Sequence, residues 1–180
     1  MDAIKMIKER RSIRKFKDEK VDRKIMQEIV SISRWAPSWA NFQIARYNLI
    51  DDPNTIEKIA NDGVKGFIYN VDTLKGAKGV AVLSYTKGKS GKLNKEEYAT
   101  VKGDAWEIFD SGIACQTFCL AAHAKSIGTV IMGVIDEKSI AQIINLPENE
   151  NVAALIVYGY PNEEPKPTTR KSVDEILRFI

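Results

Sequence analysis

Arginine forks two hydrogen bonds onto a phosphate or a carboxylate better than any other side chain. The stretch ERRSIRKF gathers Arg10, Arg11, Arg14 and Lys15 around one hydroxyl, Ser12. Such a group can hold a phosphate, with the serine as a compact extra donor. It can equally be a solvated surface or a nucleic-acid contact, and the patch alone does not choose. Cys115, Cys119 and His123 recur at every fourth residue, on one face of a helix. With a rise of about 1.5 Å per residue the outer two stand roughly 12 Å apart, whereas zinc ligands lie about 2.0 to 2.3 Å from their ion, so the three cannot share a metal. There is one histidine in the chain and no CxxC pair, and these residues read as small packed side chains beside a polar helix histidine. Gly88, Lys89 and Ser90 resemble the end of a phosphate-binding loop. A glycine is required five positions before Gly88, however, and Leu83 stands there; the frame shifted to Gly91 and Lys92 meets Leu93. No GxGxxG follows a strand, which removes the dinucleotide fingerprint.

The elements that must position these residues follow from periodicity and caps. Ala3, Ile4 and Ile7 predict a short first helix capped by Asp2. Ile25, Ile29, Ile32 and Ala36 predict a second helix over about 22–35, stopped by Pro37. The loop APSWANFQ comes next, then a strand at 45–50 and a helix opened by Asp52 and Pro53, with Ile56, Ile59 and Ala60 on its apolar face. GVAVLSYT from Gly79 reads as a buried strand, and KGKSGKLNKEE from Lys87 as a solvated, mobile loop. A long helix over about 104–126 is expected to bury Trp106, Phe109, Ile113, Gln116, Leu120 and Ala124. A strand near TVIMGV, a helix from Asp136 to about Leu146 and a strand from Asn151 complete the body, and PNEEPKPTTR forms an extended arm.

A chain of 180 residues with 44% apolar and 28% charged side chains suits one folded domain of ordinary size, 1–180. A net charge of +3 is too small to mark a protein that coats polyanions. Two cysteines four positions apart are no disulfide framework, so a reducing compartment is expected. No apolar run approaches the roughly 20 residues that cross a bilayer, and MDAIKMIKERR lacks the apolar centre of a secretory signal. The expectation is a soluble cytoplasmic protein.

The basic segment has a second motif two dozen residues downstream. Arg10, Ser12 and Arg14, followed by Pro37, Ser38, Asn41 and Gln43, resemble the paired R-x-S-x-[RK] and P-S-x-x-N-x-Q motifs of the FMN-dependent nitroreductase family. The similarity continues through DSGIACQTFCLAAHAKSIGTVIMG and reaches Arg170. The resemblance implies a nitroreductase-like α+β fold, a central, mainly antiparallel sheet flanked by helices, in an intertwined homodimer with FMN at the interface. The alternation of strands and helices alone would predict a parallel sheet.

By the same resemblance Arg10, Arg11, Ser12 and Arg14 bind FMN, with Arg170 and Lys171 at its phosphate. Pro37, Ser38, Trp39 and Asn41 cover the flavin of the partner subunit, and Met132 and Gly133 lie near its reactive edge. The arm from about Pro161 reaches the partner. The implied chemistry is two-electron transfer from NADH or NADPH through FMN to a nitroaromatic or quinone, in ping-pong fashion. The flavin carries the chemistry and no side chain is named as catalytic. Neither nucleic acid nor membrane is an expected partner. Other readings are a non-catalytic flavin-binding or sensing protein, or the same fold used for reductive dehalogenation or flavin breakdown. Two departures from the family pattern are Ile44 and Ala45 after Gln43, and the bulky Trp39 where a small residue is common. Its indole could border the acceptor or pack in the dimer interface.

Overall fold

The computed structural model describes residues 2–64, 68–94 and 96–180. Helix α1 (Ala3–Glu9) starts where the Asp2 carboxylate accepts the Lys5 N–H, and α2 (Arg23–Ser33) where Asp22 accepts that of Lys24. Strand β1 (Ala45–Ile50) leads to α3 (Pro53–Lys58), whose cap Asp52 accepts from Thr55 and whose first residue is a proline. This helix loosens into a π turn at Ile59–Gly63, followed by α4 (Ile68–Lys75) and β2 (Gly79–Thr86). The long helix α5 (Ala105–Ala124), β3 (Gly128–Met132), α6 (Glu137–Ile143), β4 (Glu150–Gly159) and a single turn α7 (Val173–Ile176) complete the chain.

Among the described residues four strands form one sheet in the order β1-β2-β4-β3, and every neighbouring pair is antiparallel. The parallel sheet that alternation suggested is therefore not formed. β2 and β4 are central, and side chains alternate across them. Val80, Val82, Leu155 and Val157 pack under α3, α4 and α6, whereas Ala81, Leu83, Ile156 and Tyr158 pack under α2 and α5. Burial on both faces explains why all eight residues of β2 are buried.

Two helices turn a different face to the core than their apolar spacing predicts. In α2 the buried residues are Met26, Ile29 and Ser33, and Ile32 is 44% exposed. In α5 they are Glu107, Asp110, Ser111, Ala114, Cys115, Phe118, Cys119, Ala121 and Ala122; Phe109 is 56% exposed, and Gln116 and Ala124 also face outward. Polar groups turn inward at the start of α5 because they have partners there. The Glu107 carboxylate accepts the Lys89 N–H, and that of Asp110 accepts from Trp39 and Ser90. The same bonds bury Ser90 and Gly91, so the turn after β2 is anchored where a solvated loop was expected.

Candidate functional site

The basic segment is fastened to the end of the sheet at two places. Ser12 bridges Thr129 of β3 in parallel fashion, with the Ile13 N–H donating to the Thr129 carbonyl at 2.9 Å. Phe16 bridges Pro161 just beyond β4, Lys17 N–H donates to the Tyr160 carbonyl at 2.9 Å, and Asn162 N–H donates to that of Lys15 at 2.9 Å. Ile13 and Phe16 are buried as pegs, while Arg14 and Lys15 face solvent. The pegs need space that only glycine leaves. A Cβ on Gly128 would lie 2.8 Å from Ile13 Cγ1, and one on Gly159 would lie 3.0 Å from the Phe16 ring.

Arg10 ends α1, its N–H donating to the Met6 carbonyl at 3.2 Å. Arg11 Nη1 donates to the Lys8 and Arg10 carbonyls at 2.6 and 2.9 Å, so its guanidinium caps the negative end of the same helix. Arg10, Arg11 and Lys17 line a cleft of about 780 Å³ with His123, Thr129 and Glu163. One Glu163 oxygen accepts the backbone N–H groups of both Arg14 and Lys15, a pair of donors aimed at one anionic atom. Burial, and then the Arg10 cation, lowers the pKa of His123, whose Nε2 is buried without a hydrogen-bond partner among the described residues. The cleft thus sets three cations, Arg10, Arg11 and Lys17, beside the carboxylates of Glu9, Glu163 and Glu164.

Met132, at the end of β3, is buried, and the following Gly133 is exposed. A Cβ on Gly133 would meet no atom of the described residues within 4 Å, so none of them demands a glycine there. The open backbone suits close approach by a ligand. Arg170 and Lys171 are exposed on the arm. Arg170 Nη1 donates to the hydroxyl and carbonyl of Thr168 and to the carbonyl of Thr169, so its hydrogen bonds stay within the arm.

The second motif forms a loop with a single 3₁₀ turn at Trp39–Asn41. Ala40, Asn41 and Gln43 hold φ values of 45°, 56° and 49°, a left-handed backbone in residues other than glycine, which stores strain. The Ser38 hydroxyl accepts the Gln43 N–H at 2.9 Å and closes the loop. Trp39 packs on Trp106 with ring centroids 4.8 Å apart, and its indole N–H donates to the Lys92 carbonyl at 2.8 Å. The indole is thus held by groups of its own chain. Pro37 and Asn41 are exposed beside it.

Within one chain the structure joins Arg10, Arg11 and Ser12 to the end of β3, and it keeps the loop of Pro37–Asn41 with the start of α5. Asp110, which links that loop to the turn after β2, escapes motif reasoning, and its partner Ser90 enters it only through the phosphate-loop likeness that fails at Leu83. A sequence signal for Asp110 is its pairing with Glu107 on the early turns of a mainly apolar helix. Cys115 and Cys119 are free, buried thiols, and mutual hydrogen bonding, then burial, pushes the pKa of Cys115 up. Among the described residues no three His, Cys, Asp or Glu side chains could hold a metal ion, and no helix is long and apolar enough to cross a membrane.

A helix-clad antiparallel sheet with a basic segment stitched across its end defines an α+β protein. A profile of the nitroreductase family matches residues 7–160, and the chain belongs to that family. It is 26% identical over 167 residues, 91% of this chain and 87% of the relative, to an Archaeoglobus fulgidus protein provisionally named NADH dehydrogenase/NAD(P)H nitroreductase. An FMN-dependent nitroreductase from Clostridium difficile superposes with a TM-score of 0.78 at 26% identity, covering 98% of each chain. A Desulfovibrio desulfuricans protein solved in complex with FMN superposes at 0.74 and 25% identity, over 97% of this chain and 94% of that one.

Proposed function

We propose that the protein is an FMN-dependent oxidoreductase that passes two electrons from NADH or NADPH to an electron-poor acceptor such as a nitroaromatic or a quinone. The observation that carries this reading is the double fastening of Arg10–Phe16 to the ends of β3 and β4, which presets its donors. The donor set fits FMN on two counts. Arg10, Arg11 and Lys17 offer cations to a phosphate in one cleft, and Gly133 leaves its backbone open where a flat ring needs close approach.

Bound FMN would supply the hydride relay between nicotinamide and acceptor. The chain's own part is orientation and charge. Arg10, Arg11 and Arg14 would hold the phosphate, the ribityl chain and the pyrimidine edge, with the Ser12 hydroxyl as a further donor. Fixed cations also favour the extra negative charge that a flavin carries when reduced. Met132 and Gly133 would offer backbone groups, and Arg170 with Lys171 would join the phosphate through the arm. Pro37, Ser38, Trp39 and Asn41 would cover the site of the partner subunit and exclude water from it.

Support for a homodimer comes from the apolar groups that a lone chain leaves outside. Ile4 and Ile7 on α1, Ile108 and Phe109 on α5, and Val173, Ile176 and Phe179 on the arm are all exposed. Gly112 of α5 has open space around its missing Cβ, which suits close packing against a second helix. The whole chain, 1–180, would be one domain whose arm from about Pro161 reaches the partner. Two free thiols suit the reducing cytoplasm.

The test is anaerobic spectroscopy of the purified protein with size measurement by light scattering. A yellow dimer is expected, whose flavin band bleaches with NADH or NADPH and returns on adding a nitroaromatic. A colourless protein that takes up no FMN would defeat the proposal. Bound FMN that neither nicotinamide reduces would leave a flavin-binding protein without this activity.

A further inference from the structure

Asp110 is a carboxylate with only 4% of its surface exposed, and its hydrogen bonds tie together two segments far apart in sequence. Both of its oxygens receive the Trp39 N–H, at 3.1 and 3.0 Å, and Oδ2 also receives the hydroxyl of Ser90 at 2.6 Å. Ser90 is fully buried. A carboxylate out of water is tolerable only where donors converge on it, so this arrangement is costly to disturb. One turn earlier Glu107 takes the Lys89 N–H at 3.0 Å, and the Trp39 indole holds the Lys92 carbonyl. The strained backbone at Ala40, Asn41 and Gln43 needs outside contacts to persist, and these bonds supply them.

The turn after β2 is also closed on itself. Lys92 bridges Tyr98, the Ala99 N–H donates to the Gly91 carbonyl at 2.8 Å, and the Lys92 ammonium lies 5.0 Å over the Tyr98 ring. Movement of Ser90 therefore carries Lys92 and Tyr98 with it. We propose that Asp110 is a positioning residue that locks the loop Pro37–Asn41 to the turn at Lys87–Lys92, so that Lys92 is presented beside the flavin-facing loop and favours acceptors bearing negative charge. The inference rests on the reading that this loop covers the partner's FMN.

The experiment measures kcat and KM for 4-nitrobenzoate and for nitrobenzene at saturating NADH or NADPH, with FMN affinity by fluorescence titration. Ser90→Ala removes one donor outside the flavin contacts. It is expected to raise KM for the anionic acceptor about fivefold, the loss typical of one hydrogen bond, while kcat, KM for nitrobenzene and FMN affinity stay within about twofold. Asp110→Asn keeps a carbonyl for Trp39 and an amide for Ser90 and should retain most of the anionic preference; Asp110→Leu should lose it. If Asp110→Leu does not fold, Ser90→Ala and Asp110→Asn still decide. Equal changes for both acceptors, or none, would overturn the proposal. Wild-type protein that binds no FMN would defeat the functional reading itself, a result visible before any variant is made.

Discussion

Replacing Gly128 by alanine should weaken FMN binding more than it weakens the fold. The added Cβ would lie 2.8 Å from Ile13 Cγ1, 2.9 Å from its Cβ and 3.1 Å from its Cγ2. Those atoms branch next to the backbone of a residue with few χ1 choices, so no rotamer change clears them. Relief must come from lifting the segment that carries Ser12 and Arg14 off β3. Overpacking of this kind costs about 1 to 3 kcal/mol. If the segment yields, the fold loses little beyond the Ile13 to Thr129 hydrogen bond, worth about 1 kcal/mol. The remainder, up to about 2 kcal/mol, would appear as displaced donors, a loss of up to roughly 30-fold in FMN affinity. Fluorescence titration of the apoprotein and urea unfolding of the same sample separate the two effects. Gly133→Ala is the control for stability, since its Cβ meets no atom of the described residues within 4 Å. A Gly128→Ala protein with the full loss of stability but unaltered FMN affinity would refute the reasoning, because the strain would then sit in the core and not in the segment.

Other outcomes follow from single residues. Arg10→Ala and Arg14→Ala should each lower FMN occupancy after dialysis, since a charge-assisted hydrogen bond contributes about 1.5 to 3 kcal/mol; undiminished flavin absorbance in both would remove them from the site. His123 has its pKa lowered in the fold, so its neutral form is the one the folded state favours. Its contribution to stability is present above the unfolded value near 6.5 and fades as pH falls below it. Thermal unfolding followed from pH 7 down to about 5.5 should drop less steeply in His123→Gln than in wild type. Cys115 and Cys119 are buried, so a thiol reagent should label neither in the native protein and both in denaturant. Fast labelling of the native protein would contradict their packing.

Local signals in the sequence specify the ends of the elements well. Asp2, Asp22, Asp52 and Asp136 cap the helices they precede, because a short carboxylate at that position meets free N–H groups whatever lies further off. The facing of α5 was not legible. Its apolar row through Phe109, Ile113 and Leu120 runs at helical spacing, yet Phe109 looks outward and Ile113 and Leu120 are only half-buried, while Glu107, Asp110 and Ser111 turn in. The deciding partners, Trp39, Lys89 and Ser90, lie elsewhere in the chain, and no periodicity encodes them. Helix α4 and the π turn before it are not legible either, since the short, mixed sequence around them gives no clear period. The basic segment and the Pro37–Asn41 loop were found by type and spacing. What seats the first of them, Ile13 against Gly128 and Phe16 against Gly159, emerges only once β3 and β4 stand side by side.

That seating orders events during synthesis. Arg10–Phe16 leaves the ribosome well before its anchors, which are Thr129 on β3 and the stretch from Tyr160 to Asn162. The cradle cannot close until almost the whole body has emerged and the last strand has paired. A nascent chain therefore has its arginines long before it has a place to put them, and the FMN site proposed for it would form only after β4 has paired.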